Sequence, residues 1–454
     1  MKFDILSQNL ILYVCIIFTA LSFYVISSLY KPDPKKKKLT KKARIIYDKE
    51  NRIQFGGAVG VSLLLAIILH ILISNSTSSF IPNSFILMAL PGTTTLCLLG
   101  LSIIFKKRLI VLAGVLFIIG LLFSLIIIND YYRYYPTLGE VFGQTNTQAF
   151  SANLNNVTVR YTEATNQSSY NSRSIQDTLE NISNAPTSGK LYKLDIPGKV
   201  SKLKARSAYV YLPAIYNSPG LINLPVIVLT SGVPGSPSDW VGLGIKNVMD
   251  QFAKSHDGIT PIVFMVDDTG SVNNDTECVN SPRGNIETYL SVDVPNFIKK
   301  NFHVEDSPTN WAIGGISLGG TCSIMMTLLH PNVYHYFIDL GGEIGPEVGS
   351  KQQTIDQLFH RSEKDWAAHQ PSILLATHTY KNIGGFFGDG NQDTRDVTSA
   401  ITQLSIQSKK AGIDSVSETL NGAHTFNVWA QTYEDSLPWI SNRIGATQCG
   451  SSCI

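Results

Sequence analysis

The stretch Trp311-Ala312-Ile313-Gly314-Gly315-Ile316-Ser317-Leu318-Gly319-Gly320 decides the fold. An apolar run leads into Gly-x-Ser-x-Gly, and the apolar Ile324-Met325-Met326 follows. In this pattern the serine sits on a strained strand-to-helix turn, and a side chain at either outer glycine would collide with the neighbouring strand or helix. The pentapeptide is weak evidence by itself and gains weight from the strand before it and the helix after it. The turn exposes Ser317 Oγ above a helix N-terminus, where negative charge is favoured.

Around this turn, short apolar runs alternate with helical patterns. Leu191 to Ile196 and Ala208 to Leu212 read as antiparallel edge strands, and Leu224 to Leu229, Ile259 to Val266 and Trp311 to Gly314 as buried central strands. Helices fit at Val241 to Ser255, Thr288 to Phe302 and Gly319 to Leu329. Strand and helix in alternation predict an α/β domain with a mostly parallel central sheet covered on both faces. Ligands bind such sheets at the carboxyl ends of the strands, where the motifs fall.

A serine nucleophile needs a base, an acid and an oxyanion site. His424, in the loop Asn421-Gly422-Ala423-His424-Thr425-Phe426 after the candidate strand Val416 to Leu420, is placed to be the base. The acid belongs between them, in Gly384-Gly385-Phe386-Phe387-Gly388-Asp389-Gly390-Asn391-Gln392-Asp393. A strand ending at Phe387 would put Asp389 at its tip, whereas Gly390-x-x-Asp393 looks like a turn that presents the acid. Asp393 is preferred and Asp389 is the alternate. Two backbone N–H groups should meet the oxyanion. Leu318 supplies one and Val233 the other, from the loop Thr230-Ser231-Gly232-Val233-Pro234-Gly235-Ser236.

Asp239 and Trp240, at the end of that loop, are candidate substrate contacts. Arg283 and Glu287, in the polar stretch Cys278 to Tyr289, either bind a polar head group or pair with each other. No calcium-loop or zinc-ligand spacing is present, and the chemistry expected here needs no metal or cofactor. A Cys278–Cys322 disulfide would tie the polar stretch to the helix behind Ser317, and Cys449–Cys453 would close a small terminal ring. Cys15 and Cys97 read as apolar fillers.

The first part of the 454-residue chain reads differently. Asn9 to Leu29, Phe55 to Ser74, Phe80 to Ile104 and Leu109 to Ile128 each supply the roughly 20 apolar residues that span about 30 Å of hydrocarbon. The predicted organisation is a region of four transmembrane helices over 1–130, a polar linker over 131–189, a hydrolase domain over 190–445 and a tail over 446–454. The basic loops Lys31 to Arg52 and Lys106-Lys107-Arg108 place their ends of the helices in the cytoplasm, so the C-terminal domain lies outside. The lysine run reads as a topology determinant touching the lipid bilayer, and no nucleic-acid partner is expected. His70 reads as a helix–helix hydrogen bond, and Gly56, Gly57 and Gly60 as a close-packing face. Tyr131 to Tyr135 reads as an interfacial aromatic belt.

Ala205-Arg206, Val210-Tyr211-Leu212-Pro213, Asp275-Thr276-Glu277-Cys278, Pro282-Arg283-Gly284, Gly315 to Thr321 and Gly422-Ala423-His424-Thr425 carry a resemblance over Lys190 to Trp439. The chain resembles the putative-esterase family of α/β-hydrolases, which includes esterase D enzymes and secreted mycolyltransferases, and in particular its membrane-anchored actinobacterial members. The resemblance implies Ser317 as nucleophile, His424 as base and Asp393 as acid, with Val233 and Leu318 donating to the oxyanion. Secreted mycolyltransferases differ in carrying a cleaved signal and a glutamate acid. The expectation is a serine esterase or acyltransferase at the plasma membrane, acting outside it on an ester-linked lipid or glycolipid of the cell envelope. Its alternatives are mycolyl-type transfer to a sugar hydroxyl and a non-catalytic binding protein on a hydrolase scaffold.

Overall fold

The computed structural model describes residues 60–72, 85–105, 110–132, 150–151, 187–217, 223–256 and 258–447. The chain divides into two compact units, Met1–Gln144 and Thr145–Ile454. The first expected span, both basic loops, Gly56 and Gly57, Cys15, most of the linker, and Cys449 and Cys453 lie outside the described residues.

In the first unit the described residues form helices Gly60–Leu72, Phe85–Phe105 and Ile110–Tyr132. Within the last, Ile110–Asn129 is long and apolar enough to cross a membrane, with a mean hydropathy of 3.1. Gly60–Leu72 and Phe85–Gly100 are apolar but shorter. The last two helices pack closely: a Cβ on Gly120 would lie 2.8 Å from the Pro91 carbonyl, and Gly92 N–H donates to Ser124 Oγ at 3.0 Å. A Cβ on Gly60 would have no atom of the described residues within 4 Å, so the close packing expected at Gly56, Gly57 and Gly60 has no partner among the described residues. His70 Nδ1 has no hydrogen-bond partner among the described residues, and its ring lies instead beside Phe85 at 6.3 Å.

The second unit is built on β1 (Phe150–Ser151), β2 (Lys190–Leu194), β3 (Ala208–Leu212), β4 (Val226–Thr230), β5 (Ile262–Met265), the small hairpin β6 (Asn280–Ser281) and β7 (Gly284–Asn285), β8 (Trp311–Ile316), β9 (Tyr336–Leu340), β10 (Gly384–Gly390) and β11 (Asp414–Leu420). The large sheet runs β1-β2-β3-β5-β4-β8-β9-β10-β11. It is parallel from β5 to β11, and β3 is antiparallel to both β2 and β5. β3 is thus an interior strand rather than an edge, and β1 lies beyond β2.

Alternating residues of the central strands feed separate cores. Val226, Val228, Phe264 and Ile313 join one with helices Val294–Asn301 and Leu318–Leu329. Ile227, Leu229, Met265 and Ala312 join the other with helices Ile245–Ser255 and Phe426–Arg443. With both faces covered, the strands read as continuous apolar runs rather than as alternation. Helix Ile245–Ser255 buries Ile245, Met249, Phe252 and Ala253, the spacing of one helical face. The single helix expected over Val241 to Ser255 breaks at Gly244, which takes φ +79° between Ser238–Gly242 and Ile245.

β4 sits between β5 and β8, so chain direction across the sheet reverses there and a crevice opens at the strand ends. Thr230, the last residue of β4, pairs with Gly315. The 231–237 loop therefore leaves the sheet beside Ser317. At the other side Gly390 pairs with Leu420, bringing the loops after β10 and β11 together. This is an α/β-hydrolase fold.

Candidate active site

Ser317 stands between β8 and helix Leu318–Leu329 with φ +54° and ψ −120°, a backbone region that a non-glycine residue occupies only when its surroundings enforce it. The enforcement is visible. Ser317 N–H donates to the Leu340 carbonyl at 2.8 Å, and Gly320 and Thr321 N–H close the first helical turn onto the Ser317 carbonyl. A Cβ on Gly315 would collide with the Gly319 backbone, and one on Gly319 would lie 2.7 Å from the Ser231 carbonyl. Both outer glycines are needed because β8, its helix and the loop after β4 meet within a van der Waals diameter.

His424 Nε2 lies 2.9 Å from Ser317 Oγ, and His424 Nδ1 lies 2.7 Å from Asp393 Oδ2. The network assigns the Nδ1–H donor to Asp393 and leaves Nε2 to accept from the serine hydroxyl. The side chain of Asp393 is 1% exposed, and its other oxygen accepts Thr394 N–H at 2.6 Å. Thr394 in turn caps helix Arg395–Lys410 through Val397 N–H at 3.1 Å. The loop carrying Asp393 is sewn to the histidine loop: Gln392 N–H reaches the Gly422 carbonyl at 2.7 Å, and Asn391 N–H reaches Leu420 at 2.8 Å. A Cβ on Gly390 would strike the Gly422 carbonyl, so only glycine permits that approach.

Asp389 occupies a different place. β10 runs past Phe387 to Gly390, leaving Asp389 inside the ladder opposite Thr419, whose hydroxyl it accepts at 2.7 Å. Burial and the nearby Asp393 push its carboxyl above the usual range, against the opposing Thr419 bond. Of the two acids, the one in the loop reaches the histidine.

The imidazole is also held from below. Gly341, at φ +70°, passes so near that a Cβ there would lie 3.3 Å from His424 Cε1 and 2.9 Å from Trp429 Nε1. Trp429 meets the His424 ring edge-on at 4.7 Å. Asp339 shapes this turn by accepting Gly342 N–H at 2.9 Å; burial, more than the Asp389 charge, pushes its carboxyl up to about 7. Sequence reasoning missed this support, although Gly341-Gly342 follows an apolar run, Tyr336 to Leu340, that forms a strand.

The loop after β4 abuts the serine. A Cβ on Gly232 would lie 3.2 Å from Ser317 Cβ and 3.7 Å from Oγ. Val233 follows Gly232, and Leu318 opens the helix directly after Ser317.

The expected substrate contacts have other duties. Trp240 is 1% exposed, donates from Nε1 to the Thr230 carbonyl at 2.9 Å and packs edge-on against Tyr433 at 5.1 Å, so it is core. Asp239 folds the loop, accepting Ser236 N–H at 2.9 Å and Ser236 Oγ–H at 3.1 Å. Arg283 and Glu287 do not pair with each other. Arg283 donates to the Asp275 carbonyl and, at 2.5 Å, to Gln357 Oε1. Glu287 bridges His330 at 2.9 Å and His369 at 3.2 Å. Burial pushes the Glu287 carboxyl up, but the two histidines outweigh it and pull it down to about 2. Burial pushes His369 down, and Glu287 with the Asp365 carbonyl reverses this and raises it.

Cys278 and Cys322 are disulfide-bonded, with Cα atoms 5.6 Å apart. Among the described residues, the single grouping of metal-type donors is Asp268 with these two sulfurs, which as a disulfide are not thiolates. Beside the helix that carries Ser317, Glu343 N–H donates to Thr321 Oγ1 at 2.8 Å. Burial, reinforced by Glu347, Asp275 and Asp396, pushes its carboxyl up to about 8. Burial also holds Glu277 well above its ordinary range, with Asp275 and Glu343 adding to the effect.

The family model described as Putative esterase matches residues 203–440. An uncharacterized protein of Corynebacterium glutamicum is 35% identical over 362 residues, which is 76% of this chain and 79% of that protein. Among solved structures, an S-formylglutathione hydrolase from Agrobacterium tumefaciens is similar over 57% of this chain and 98% of its own, at 13% identity and a TM-score of 0.48. FphF, a fluorophosphonate-binding serine hydrolase of Staphylococcus aureus, is similar over 56% of this chain and 99% of its own, at 15% identity and a TM-score of 0.47. Matched by the family model over more than half its length, this chain belongs to the Putative esterase family and is a carboxylic ester hydrolase.

Proposed function

We propose that Ser317 is the nucleophile of this esterase, His424 its general base and acid, and Asp393 the carboxylate that orients the imidazole. One observation carries the proposal: a single imidazole joins Ser317 Oγ at 2.9 Å and Asp393 Oδ2 at 2.7 Å through its two ring nitrogens. Ser317 Oγ attacks the ester carbonyl while its proton passes to His424 Nε2, and Asp393 stabilises the imidazolium. The backbone N–H groups of Leu318 and Val233 receive the oxyanion. Collapse of the tetrahedral species returns the proton to the departing alkoxide and leaves an acyl-enzyme, which water or another hydroxyl resolves.

The substrate in this reading is an ester-bearing lipid or glycolipid of the cell envelope, and the N-terminal helices hold the enzyme at the membrane with its catalytic unit on the outer side. Support comes from Ile110–Asn129, which has the length and hydropathy of a span, and from the charge placement in the sequence. A disulfide in the catalytic unit fits an oxidising compartment. Incubating the full-length protein with envelope lipids, beside its Ser317→Ala variant, and weighing the acyl products tests this. Free acid in the wild type alone indicates hydrolysis, and a new acyl conjugate indicates transfer. No serine-dependent product from any envelope lipid would remove the substrate assignment.

A further inference from the structure

We infer that Arg206 is a positioning residue for this site: its guanidinium fixes the Gly232–Gly235 loop against Ser317 by clamping the Gly235 carbonyl to the segment after β5. The inference rests on the reading of Ser317 and that loop given above.

Arg206 lies two residues before β3, and Asp267 two residues after β5. The backbone N–H of Arg206 donates to Asp267 Oδ2 at 2.6 Å, while Nε and Nη2 donate to Oδ1 at 3.1 and 2.6 Å. Nη2 also reaches Thr269 Oγ1 at 2.5 Å. Asp267 is fully buried, and its Oδ1 accepts Gly270 N–H at 3.1 Å, so the carboxylate is itself immobile. Burial pushes this carboxyl up, but the Arg206 bonds prevail and hold it below its usual range.

With that edge of the fork occupied, Nη1 points the other way and donates to the Gly235 carbonyl at 2.8 Å. The N–H of the same residue donates to the Val272 carbonyl at 3.0 Å. Both polar groups of Gly235 are therefore pinned to one side. A Cβ on Gly235 would strike the Gly232 carbonyl, and Ser231 Oγ–H closes the turn on the Ser236 carbonyl at 2.6 Å. Displacing Gly235 thus displaces Gly232, the residue packed against Ser317. A planar fork can grip a carboxylate and a carbonyl in fixed directions, whereas an ammonium on a flexible stem cannot. An error of about 1 Å in such a loop costs on the order of 100-fold in rate.

The test measures hydrolysis of a short p-nitrophenyl ester by the full-length protein in detergent. Arg206→Lys keeps a positive charge against Asp267 but loses the fork. Its kcat should fall about 10- to 100-fold with KM changed less than about two-fold, because transition-state stabilisation is lost and ground-state binding is not. The double variant Arg206→Gln/Asp267→Asn, which leaves no unpaired buried charge, should show the same split. A folded Arg206→Lys or double variant with kcat within about two-fold of wild type overturns the inference, as does a loss that appears in KM alone. Ser317→Ala measured in parallel separates the two claims. Activity surviving in Ser317→Ala breaks the nucleophile assignment, while activity lost there and retained in the Arg206 variants breaks the present inference alone.

Discussion

The two units of this chain treat large apolar side chains in opposite ways. In the catalytic unit they are inside: Trp240, Trp311, Phe264, Phe337 and Phe387 are all at most 1% exposed. Among the described residues of that unit, Val200, Val272 and Ile406 are the large hydrophobics on the surface. In the N-terminal helices they face out, with Val111 80% exposed, Leu87 67%, Leu72 58% and Ile118 58%. A water-soluble helix hides one apolar stripe. In the membrane reading proposed above, the exposed side chains of these helices would meet lipid rather than water. Chemistry that needs a fixed geometry resides in the first kind of packing, where long-range pairing holds each loop.

That contrast can be attacked in order of expected effect on ester turnover. His424→Ala and Asp393→Asn should each lower kcat by about 10⁴-fold, the second because the imidazole is left in the wrong tautomer. Asp389→Asn should change it less than about three-fold, and equal losses at both aspartates would break the assignment of the acid. Gly341→Ala puts a methyl group where His424 and Trp429 already stand, in a backbone conformation that alanine resists. Turnover should drop about 10- to 100-fold through a displaced base, read as a kcat effect with a pH profile shifted from wild type.

The next effects concern stability before rate. Cys278→Ser with Cys322→Ser opens a loop of 44 residues and should cost at most about 4 kcal/mol, measured by denaturant unfolding with and without reductant. Glu287→Gln tests the clasp with His330 and His369, whose other charged neighbour is Asp365. A depressed Glu287 stabilises the fold above about pH 4.5, and this is lost as pH falls towards 2. A raised His369 stabilises it below about pH 6.5, and this is lost as pH rises through the folded value. The variant should therefore lower Tm most between about pH 4.5 and 6.5; a loss independent of pH would contradict the clasp. Ile118→Asp in the helical unit should leave kcat for a soluble ester within about two-fold while weakening membrane retention by up to about 3 kcal/mol, seen as release from washed vesicles.

How much of this was legible in sequence follows from the same physics. The central strands were readable because parallel strands buried on both faces form apolar runs, and Trp311 to Gly314 anticipates β8. The serine and histidine were readable from local glycine patterns. The acid was readable only to a preference for Asp393 over Asp389, because Gly384 to Gly390 contains four glycines and no local mark of its end; pairing with β11 keeps Asp389 inside the ladder and leaves Asp393 in the loop beside His424. Trp240 lies in a polar loop sequence, yet the fold turns it onto Tyr433. Glu287 finds His330 and His369 from 43 and 82 residues away, and Arg206 finds Gly235 across 29, distances at which spacing carries no signal.

If Ser317 is the activated nucleophile, a fluorophosphonate should label it stoichiometrically. About one equivalent should bind the wild-type protein, mapped to Ser317, with none on a folded Ser317→Ala variant and a strongly slowed reaction in His424→Ala. A folded wild type that never labels, or a Ser317→Ala variant that labels as fast as wild type, would contradict it.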